Sequence, residues 1–303
     1  MGDAALTAEE AVYNFQMGAF YTAWLNVIQD DQNMDGSVPD FVPSLGDHGS
    51  GAPNWQSAHP SVIWALWKYY GDSGPIDTHF DSLTRYYDYF EASYNTTGIA
   101  NFKTGYGDWV PPPPFPRADL HLTGAFAYLH DLKMGAEFFG AASNQAGAAR
   151  SARCTQLFAK LAAEFHAAFF DKEHGYYGTG LQSEQTMPLY LGIVPDQLKP
   201  AVLSHTLVDI ETTNTMHTTS GIIGIRCTLE ALSQEGRSDI ALAMALVDTY
   251  PSYGYMVTNQ YEPATTIWEL WDSDREGPGM LPAARISLRE SGRCCAALRL
   301  SRI

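Results

Sequence analysis

Helix-like segments that alternate with loops rich in glycine, proline and aromatic residues are the feature of this sequence that most restricts its fold. Apolar side chains recur at helical spacing throughout residues 6–31. The same spacing returns at residues 57–70, 76–94, 119–139, 146–170, 183–191, 195–210, 218–235 and 238–248. No stretch alternates polar and apolar residues for long enough to build a sheet. The sequence therefore predicts an all-α fold.

Short-looped helices whose functional-looking polar and aromatic residues lie in the connecting loops are typical of a ring of helical hairpins. In such a ring one set of loops lines a central cleft, so residues far apart in sequence meet there. One loop contains four consecutive prolines, Pro111 to Pro114, which exclude regular structure because proline has no backbone N–H to donate. The chain has 303 residues, 45% of them hydrophobic, and is long enough for a single large ring.

The charge of the chain restricts its partners. The formal net charge is −16, whereas nucleic acid binding requires a basic surface. No apolar run has the length of a transmembrane helix, so we expect neither nucleic acid nor a membrane as partner. The four cysteines and nine histidines do not have the spacing of metal ligands, and no metal or other cofactor is predicted.

Three segments concentrate carboxylates, the first two of them beside tryptophans: Gly107-Asp108-Trp109, residues 265–272 (TTIWELWD), and the chain start Met1-Gly2-Asp3. Glycoside hydrolysis needs one carboxylic acid to protonate the leaving oxygen and one carboxylate as base or nucleophile. Flat aromatic rings bind the apolar faces of sugars. A structural interpretation exists as well, with Asp108 capping a turn and Glu269 exposed between two core tryptophans. The residues alone leave both interpretations open.

Taken in order along the chain, the motifs resemble the catalytic domain of the α-L-rhamnosidase family of glycoside hydrolases. The resemblance runs from Met1 to about Met280. It rests on Gly36-Ser37-Val38-Pro39, Gly107-Asp108-Trp109, Thr218-Thr219-Ser220-Gly221, Pro251-Ser252-Tyr253-Gly254-Tyr255 and the most specific string, Thr265-Thr266-Ile267-Trp268-Glu269. It implies an (α/α)6 toroid and the inverting, metal-independent hydrolysis of terminal α-linked L-rhamnose. The implied partner is a rhamnose-containing glycoside or oligosaccharide.

The resemblance also implies roles for five residues. Glu269 matches the family's general base, which deprotonates a water on the face of the sugar opposite the leaving group. Asp3 matches the aspartate of a Gly-Asp motif that contacts sugar hydroxyls. Trp55, Asp108 and Trp109 match residues that line the rhamnose pocket. We therefore expect all five side chains to face one central cleft.

The chain departs from the family pattern near both ends. The family's general acid is a glutamate in an Asp-Glu-Arg segment before the Gly-Asp motif, and this sequence contains no such segment. After Met280 the family continues with an Asn-His pair and closing helices, whereas residues 281–303 hold five arginines and one acid. We expect a toroid incomplete at both ends. Residues 1–280 would form the partial catalytic domain, and residues 281–303 would be a frameshifted or misread basic tail that packs poorly.

Two hypotheses from different classes follow. In the first, the chain is a fragment of an inverting α-L-rhamnosidase that is inactive or crippled without its general acid. In the second, it is a non-catalytic protein that retains the pocket and binds rhamnose or another carbohydrate. The intact string around Glu269 favours the first for the gene, and the missing acid favours the second for this polypeptide.

Overall fold

The computed structural model describes residues 1–44, 49–261 and 263–273, and the described chain is mainly helical. The α-helices are α1 (Gly2–Asn14), α2 (Gly18–Asp31), α3 (Pro53–Gln56), α4 (Ala58–Tyr70), α5 (Gly74–Thr78), α6 (Phe80–Thr97), α7 (Leu120–Phe138), α8 (Ala146–Phe169), α9 (Gln182–Leu191), α10 (Lys199–Val208), α11 (Ile222–Gln234), α12 (Ser238–Leu246) and α13 (Tyr253–Thr258). Short 3-10 helices span Ile99–Asn101 and Phe139–Ala141, and a π-helical turn spans Asp209–Thr213.

Extended structure is minimal within the described residues. Two strands of two residues each, β1 (Phe170–Asp171) and β2 (Tyr176–Tyr177), pair antiparallel. The all-α prediction is confirmed. Within the described chain, no helix has both the length and the apolar character needed to cross a membrane. The tail at residues 281–303 lies outside the described residues, so the prediction made for it stays a prediction.

The segment predicted as one helix at residues 6–31 is divided into α1 and α2. The hydroxyl of Tyr70, at the end of α4, donates to the carbonyl of Phe15 at 2.8 Å and accepts from the backbone N–H of Met17 at 3.2 Å. This hydroxyl is therefore the hydrogen-bond partner of backbone groups that have none within a helix at the break. The helical periodicity continues across the break because both helices pack against α4.

A second predicted helix, at residues 76–94, is divided at His79 into α5 and α6. The His79 ring is buried, and its Nδ1 lies 2.9 Å from Oε1 of Gln29 on α2. Helix α4, by contrast, ends as predicted. Gly71 follows it with φ 70°, a left-handed conformation that glycine adopts without steric cost.

The chain divides into two compact units. Unit 1 comprises Met1–Tyr106 and Leu120–Phe169, and unit 2 comprises Gly107–Asp119 and the chain from Phe170 onward. In unit 1 the main helix pairs are α1 with α4 and α7 with α8. In unit 2 they are α9 with α11 and α11 with α12. Helix α11 is therefore the central helix of unit 2.

Aromatic side chains fill much of the core of unit 1. The rings of Phe102 and Tyr128 are stacked with centroids 5.2 Å apart, and Phe90 stacks on Tyr128 at 5.5 Å. Tyr86 packs edge-on against Phe90 at 5.0 Å. All four rings are fully buried. Much of the aromatic content noted in the sequence is therefore core packing and not a binding surface.

A carboxyl group, Asp131 of α7, is buried within unit 1. Its Oδ2 accepts hydrogen bonds from the hydroxyls of Tyr86 at 2.5 Å and Ser57 at 3.0 Å. Burial raises the pKa of Asp131 to about 8, although both hydrogen bonds favour the ionised form. The group is therefore protonated in the folded protein over most of the acidic and neutral range.

We predict that stability falls between about pH 4 and about pH 8, and that Asp131→Asn removes part of this fall. The unfolded carboxyl ionises near its ordinary pKa of 3.8, whereas the folded one keeps its proton up to about 8. Ionisation of the unfolded chain therefore favours unfolding progressively through this window, and above it the contribution is constant. Asparagine has nearly the same shape and does not titrate. Urea unfolding at the two ends of the window measures the effect.

The control is Asp88→Asn, which changes an exposed carboxylate paired with Arg150. Exposed ion pairs contribute about 0–1 kcal/mol, so this variant should keep the pH dependence of the parent protein. Equal pH dependence in the parent and in Asp131→Asn would show that Asp131 is ionised in the folded state.

Candidate functional site

The carboxylate of Asp108 is buried in unit 2, where it closes the N-terminus of α11. Oδ2 accepts from the backbone N–H of Gly221 and Oδ1 from that of Gly224, both at 2.8 Å. The first N–H groups of a helix have no partner within the helix, so Asp108 acts as a cap supplied from a distant loop. Burial raises the pKa of Asp108, opposed by these bonds and by one from the Ser183 hydroxyl.

The peptide backbone of the same loop also bonds to this helix end. The carbonyl of Trp109 accepts from the N–H of Ile222 at 2.9 Å. A Cβ added to Gly221 would lie 2.1 Å from that carbonyl oxygen, and one on Gly224 would lie 2.5 Å from Oδ2 of Asp108. Glycine is therefore required at both positions by the close approach of the loop. This contact gives a physical reason for the glycine of the Thr-Thr-Ser-Gly motif.

The start of α11 differs from the sequence prediction. The predicted helix at residues 218–235 begins only at Ile222, and Gly221 before it is extended, with φ −78° and ψ −169°. The amide of Thr219 donates to the side chain of Gln182 at 3.0 Å. Residues 218–221 therefore form a segment that leads into the helix, and its hydrogen-bond partners come from other elements.

Trp109 and Glu269 meet in unit 2. The indole N–H of Trp109 donates to Oε1 of Glu269 at 3.1 Å, across 160 positions of sequence. The guanidinium of Arg117 lies 4.5 Å from the centroid of the Trp109 ring, within the range of a cation–π contact. Trp109 and Glu269 are both partly exposed. The structure thus brings together a fixed indole and a carboxylate that is accessible to small molecules.

The segment that carries Glu269 is non-helical and is anchored by Trp271. The indole of Trp271 is buried, and it donates to the carbonyl of Ser220 at 3.0 Å. Its ring packs in an apolar cluster that contains Ile225 and Leu229. The structural interpretation of this motif is thus correct for Trp271, which is a core residue. The bond to Ser220 attaches the segment beside the capped start of α11.

In unit 1, Asp3 and Trp55 lie in neighbouring segments. Asp3 is exposed in the first turn of α1. Its neighbour Gly2 lies against the Trp55 ring so closely that an added Cβ would be 2.5 Å from a ring atom. The Trp55 ring is 4.8 Å from that of Tyr106, whose hydroxyl donates to Oδ2 of Asp40 at 2.8 Å. This hydrogen bond raises the pKa of Tyr106.

The five residues predicted for the site form two sets. Asp3 and Trp55 belong to unit 1, and Asp108, Trp109 and Glu269 belong to unit 2. In unit 2 the indole of Trp109 contacts Glu269, and in unit 1 Gly2, the neighbour of Asp3, lies against the ring of Trp55. The expectation that all five face one cleft stays a prediction.

Sequence reasoning missed several residues that support these sets. Asp40 and Tyr106 accompany Trp55, and both were adjacent to motifs already noted. The first turn of α9 contains buried polar side chains, among them Gln182 and Glu184. Glu184 accepts from the backbone N–H of Asp119 at 3.0 Å, which holds the far end of the proline-containing loop. The run of polar residues at the start of α9 was the sequence signal that could have identified Gln182 and Glu184. Within the described residues, no group of acidic, histidine or cysteine side chains could hold a metal ion.

Comparisons with known proteins agree on one family. A family model described as the bacterial alpha-L-rhamnosidase six-hairpin glycosidase domain matches residues 1–285. An alpha-L-rhamnosidase of Streptomyces avermitilis is 30% identical over 274 residues, which cover 90% of this chain and 25% of that protein. One from Formosa agariphila is 23% identical, over 95% of this chain and 31% of that protein.

Solved structures give the same result. The alpha-L-rhamnosidase of Dictyoglumus thermophilum is 31% identical with a TM-score of 0.79, over 89% of this chain and 30% of that chain. The Streptomyces avermitilis alpha-L-rhamnosidase complexed with L-rhamnose is 26% identical with a TM-score of 0.82, over 96% and 28%. The chain spans between 25% and 31% of the length of the curated relatives named above.

We predict that Gly221→Ala destabilises the protein by about 1–3 kcal/mol, because the new methyl group overlaps the carbonyl of Trp109. Gly140→Ala is the matched control. Its nearest neighbour is the Ser151 hydroxyl oxygen at 3.7 Å, an ordinary contact. Chemical unfolding of both variants measures the difference. Similar stabilities for the two would show that the loop and α11 are farther apart than described.

Proposed function

The chain belongs to the bacterial six-hairpin α-L-rhamnosidase family, and from this membership we propose that it hydrolyses glycosides that carry terminal α-linked L-rhamnose, with inversion of configuration. One observation carries the proposal. The carboxylate that matches the family's general base, Glu269, is partly exposed and accepts a hydrogen bond from the indole of Trp109. The two curated relatives named above are each about three to four times as long as this chain.

Glu269 would act as the general base. The indole N–H donates to Oε1 and so fixes the orientation of the carboxylate. We assign to Oε2 the role of accepting the proton from the attacking water. The water then attacks the anomeric carbon on the face opposite the leaving group, which inverts the configuration. The bond to the leaving oxygen breaks as that oxygen receives a proton from a general acid. A carboxylate held in one rotamer loses less freedom on reaching the transition state.

Each set contains an aromatic ring and a carboxylate of the kind that binds sugars. Trp55 and Trp109 offer partly exposed rings for the apolar face of rhamnose, and the exposed carboxylate of Asp3 can accept from its hydroxyls. Asp108 differs from these residues because backbone N–H groups bond to both of its oxygens. We propose that it supports the pocket without touching the sugar.

The general acid is not assigned to a residue of this chain. An inverting glycosidase needs a second carboxyl group about 6.5–9.5 Å from the base. The sequence contains no Asp-Glu-Arg segment to supply it in the manner of the family. A second candidate is a protein that binds rhamnose without cleaving it, because binding needs the aromatic rings and carboxylates named above but no proton donor. The two candidates share a pocket and differ in turnover.

We predict that 4-nitrophenyl α-L-rhamnoside is hydrolysed better than a natural rhamnoside, because a good leaving group depends less on a general acid. General acid–base assistance contributes about 10²–10⁴-fold, so Glu269→Gln should lower the residual rate by a factor in that range. The same variant should still bind L-rhamnose. Release of nitrophenol and calorimetric titration with L-rhamnose measure the two properties, and proton NMR of the first product identifies the anomer.

Glu211→Gln is the matched control. It makes the same chemical change at an exposed glutamate that pairs with Arg237, and it should leave hydrolysis and binding unchanged. Binding of rhamnose without release from either substrate would favour the non-catalytic candidate. Unchanged hydrolysis in Glu269→Gln would contradict the assignment of the base, and failure to bind rhamnose would contradict both candidates.

A further inference from the structure

We propose that Asp108 is a positioning residue that acts on Glu269 through the N-terminus of α11 and the indole of Trp109. The importance of this for catalysis rests on the proposed function of Glu269. The coupling itself is a property of the fold and can be tested without turnover. Three contacts, taken in order, carry the inference.

The first contact is between the Asp108 carboxylate and the start of α11. A helix N-terminus carries a partial positive charge from its aligned peptide dipoles, which favours a carboxylate there. The carboxylate is only 1% exposed, and its two oxygens each accept from a different amide, Gly221 and Gly224. Two bonds to two fixed donors hold the side chain in one orientation. Asparagine cannot reproduce them, since it has one acceptor oxygen and its amide NH₂ would face an N–H donor.

The second contact passes this constraint to Trp109. The Trp109 carbonyl accepts from Ile222 in the same helix turn, so the peptide backbone is held on both sides of the residue. Gly107 before the pair has φ 69° and Val110 after it has φ 50°. A β-branched residue at positive φ is strained, and this conformation persists only where the surroundings impose it. The cap by Asp108 is the part of those surroundings nearest in sequence.

The third contact is between Trp109 and the base. The direction of the indole follows from the backbone, and its N–H reaches Oε1 of Glu269 at 3.1 Å. The segment with Glu269 is separately attached through Trp271 to Ser220, next to the capped amides. Both partners of the Trp109–Glu269 hydrogen bond are thus fixed to the same five residues, 220–224. Loss of the cap would move one partner relative to the other.

The test is an NMR measurement on the full chain labelled with ¹⁵N, in which the seven tryptophans give seven indole N–H signals. Trp109→Phe identifies the signal of Trp109. Glu269→Gln should shift that signal, because it removes the charge from the acceptor. We expect Asp108→Asn to shift it as well, although Glu269 is intact, and to change the signal little further when it is combined with Glu269→Gln. Such non-additivity is the sign that two residues act on one interaction.

A second variant disturbs the same contact from the side of the helix. Gly224→Ala would place its Cβ 2.5 Å from Oδ2 of Asp108 and 2.4 Å from Cβ of Ser183, so the carboxylate has to shift. This variant should shift the Trp109 signal in the same direction. Unchanged indole signals of the tryptophans in unit 1 serve as the check that either variant is folded.

Asp131→Asn is the matched control: it makes the same chemical change at another fully buried carboxyl group, which lies in unit 1 and bonds to Tyr86 and Ser57. It should leave the Trp109 signal unchanged.

The outcomes separate this inference from the proposed function. A Trp109 signal that responds to Glu269→Gln but stays unchanged in Asp108→Asn and in Gly224→Ala overturns the positioning role. A signal that also moves in Asp131→Asn shows a general loosening of the protein and overturns it too. If the expected shifts occur but Glu269→Gln leaves hydrolysis unchanged, the positioning role stands and the proposed base is wrong.

Discussion

The capped N-terminus of α11 is the interaction on which the local structure around Trp109 and Glu269 in unit 2 depends. Unpaired N–H groups at the start of a buried helix need acceptors, and Asp108 and Trp109 supply them from a loop more than a hundred positions earlier. The carbonyl of Ser220, just before the capped residues, accepts a hydrogen bond from the indole N–H of Trp271. Two motifs that look independent in the sequence are therefore parts of one local structure. The helix end orders both the loop that carries Trp109 and the segment that carries Glu269.

The helical class of the fold could be predicted from apolar periodicity, but its interruptions could not. Helix α4 ends at Gly71 as the glycine indicates. The break between α1 and α2 depends on the hydroxyl of Tyr70, and the break at His79 depends on Gln29. Both partners are remote in sequence, so no local pattern near the breaks contains the information. Periodicity reports which face is buried, and the ends of helices are decided by side chains from other elements.

The candidate site was predicted with similar limits. The family resemblance is confirmed by the comparisons, and the site residues that it implies stay predictions. It did not distinguish a side chain that meets a ligand from one that holds the backbone. The prediction that Asp108 lines the pocket stays a prediction. The structure shows that its two carboxylate oxygens accept from backbone N–H groups at the start of α11, and not from a turn after Gly107. Asp40 and Glu184 were missed because the backbone N–H groups that they accept from, those of Ala52 and Asp119, come close only in the folded chain.

The fit between the loop at Gly107–Asp119 and the start of α11 also limits how this scaffold can be altered. A carboxylate at position 108 is useful only where residues 221 and 224 lack side chains, and those glycines leave amides exposed in the interior unless the carboxylate is present. The carboxylate without these amides would be a buried charge with no hydrogen-bond donors, and the amides without the carboxylate would be buried donors with no acceptor. Exchange of this loop for that of a relative therefore requires exchange of residues 221–224 as well, since a new loop without its matching helix start would leave polar groups unpaired in the interior.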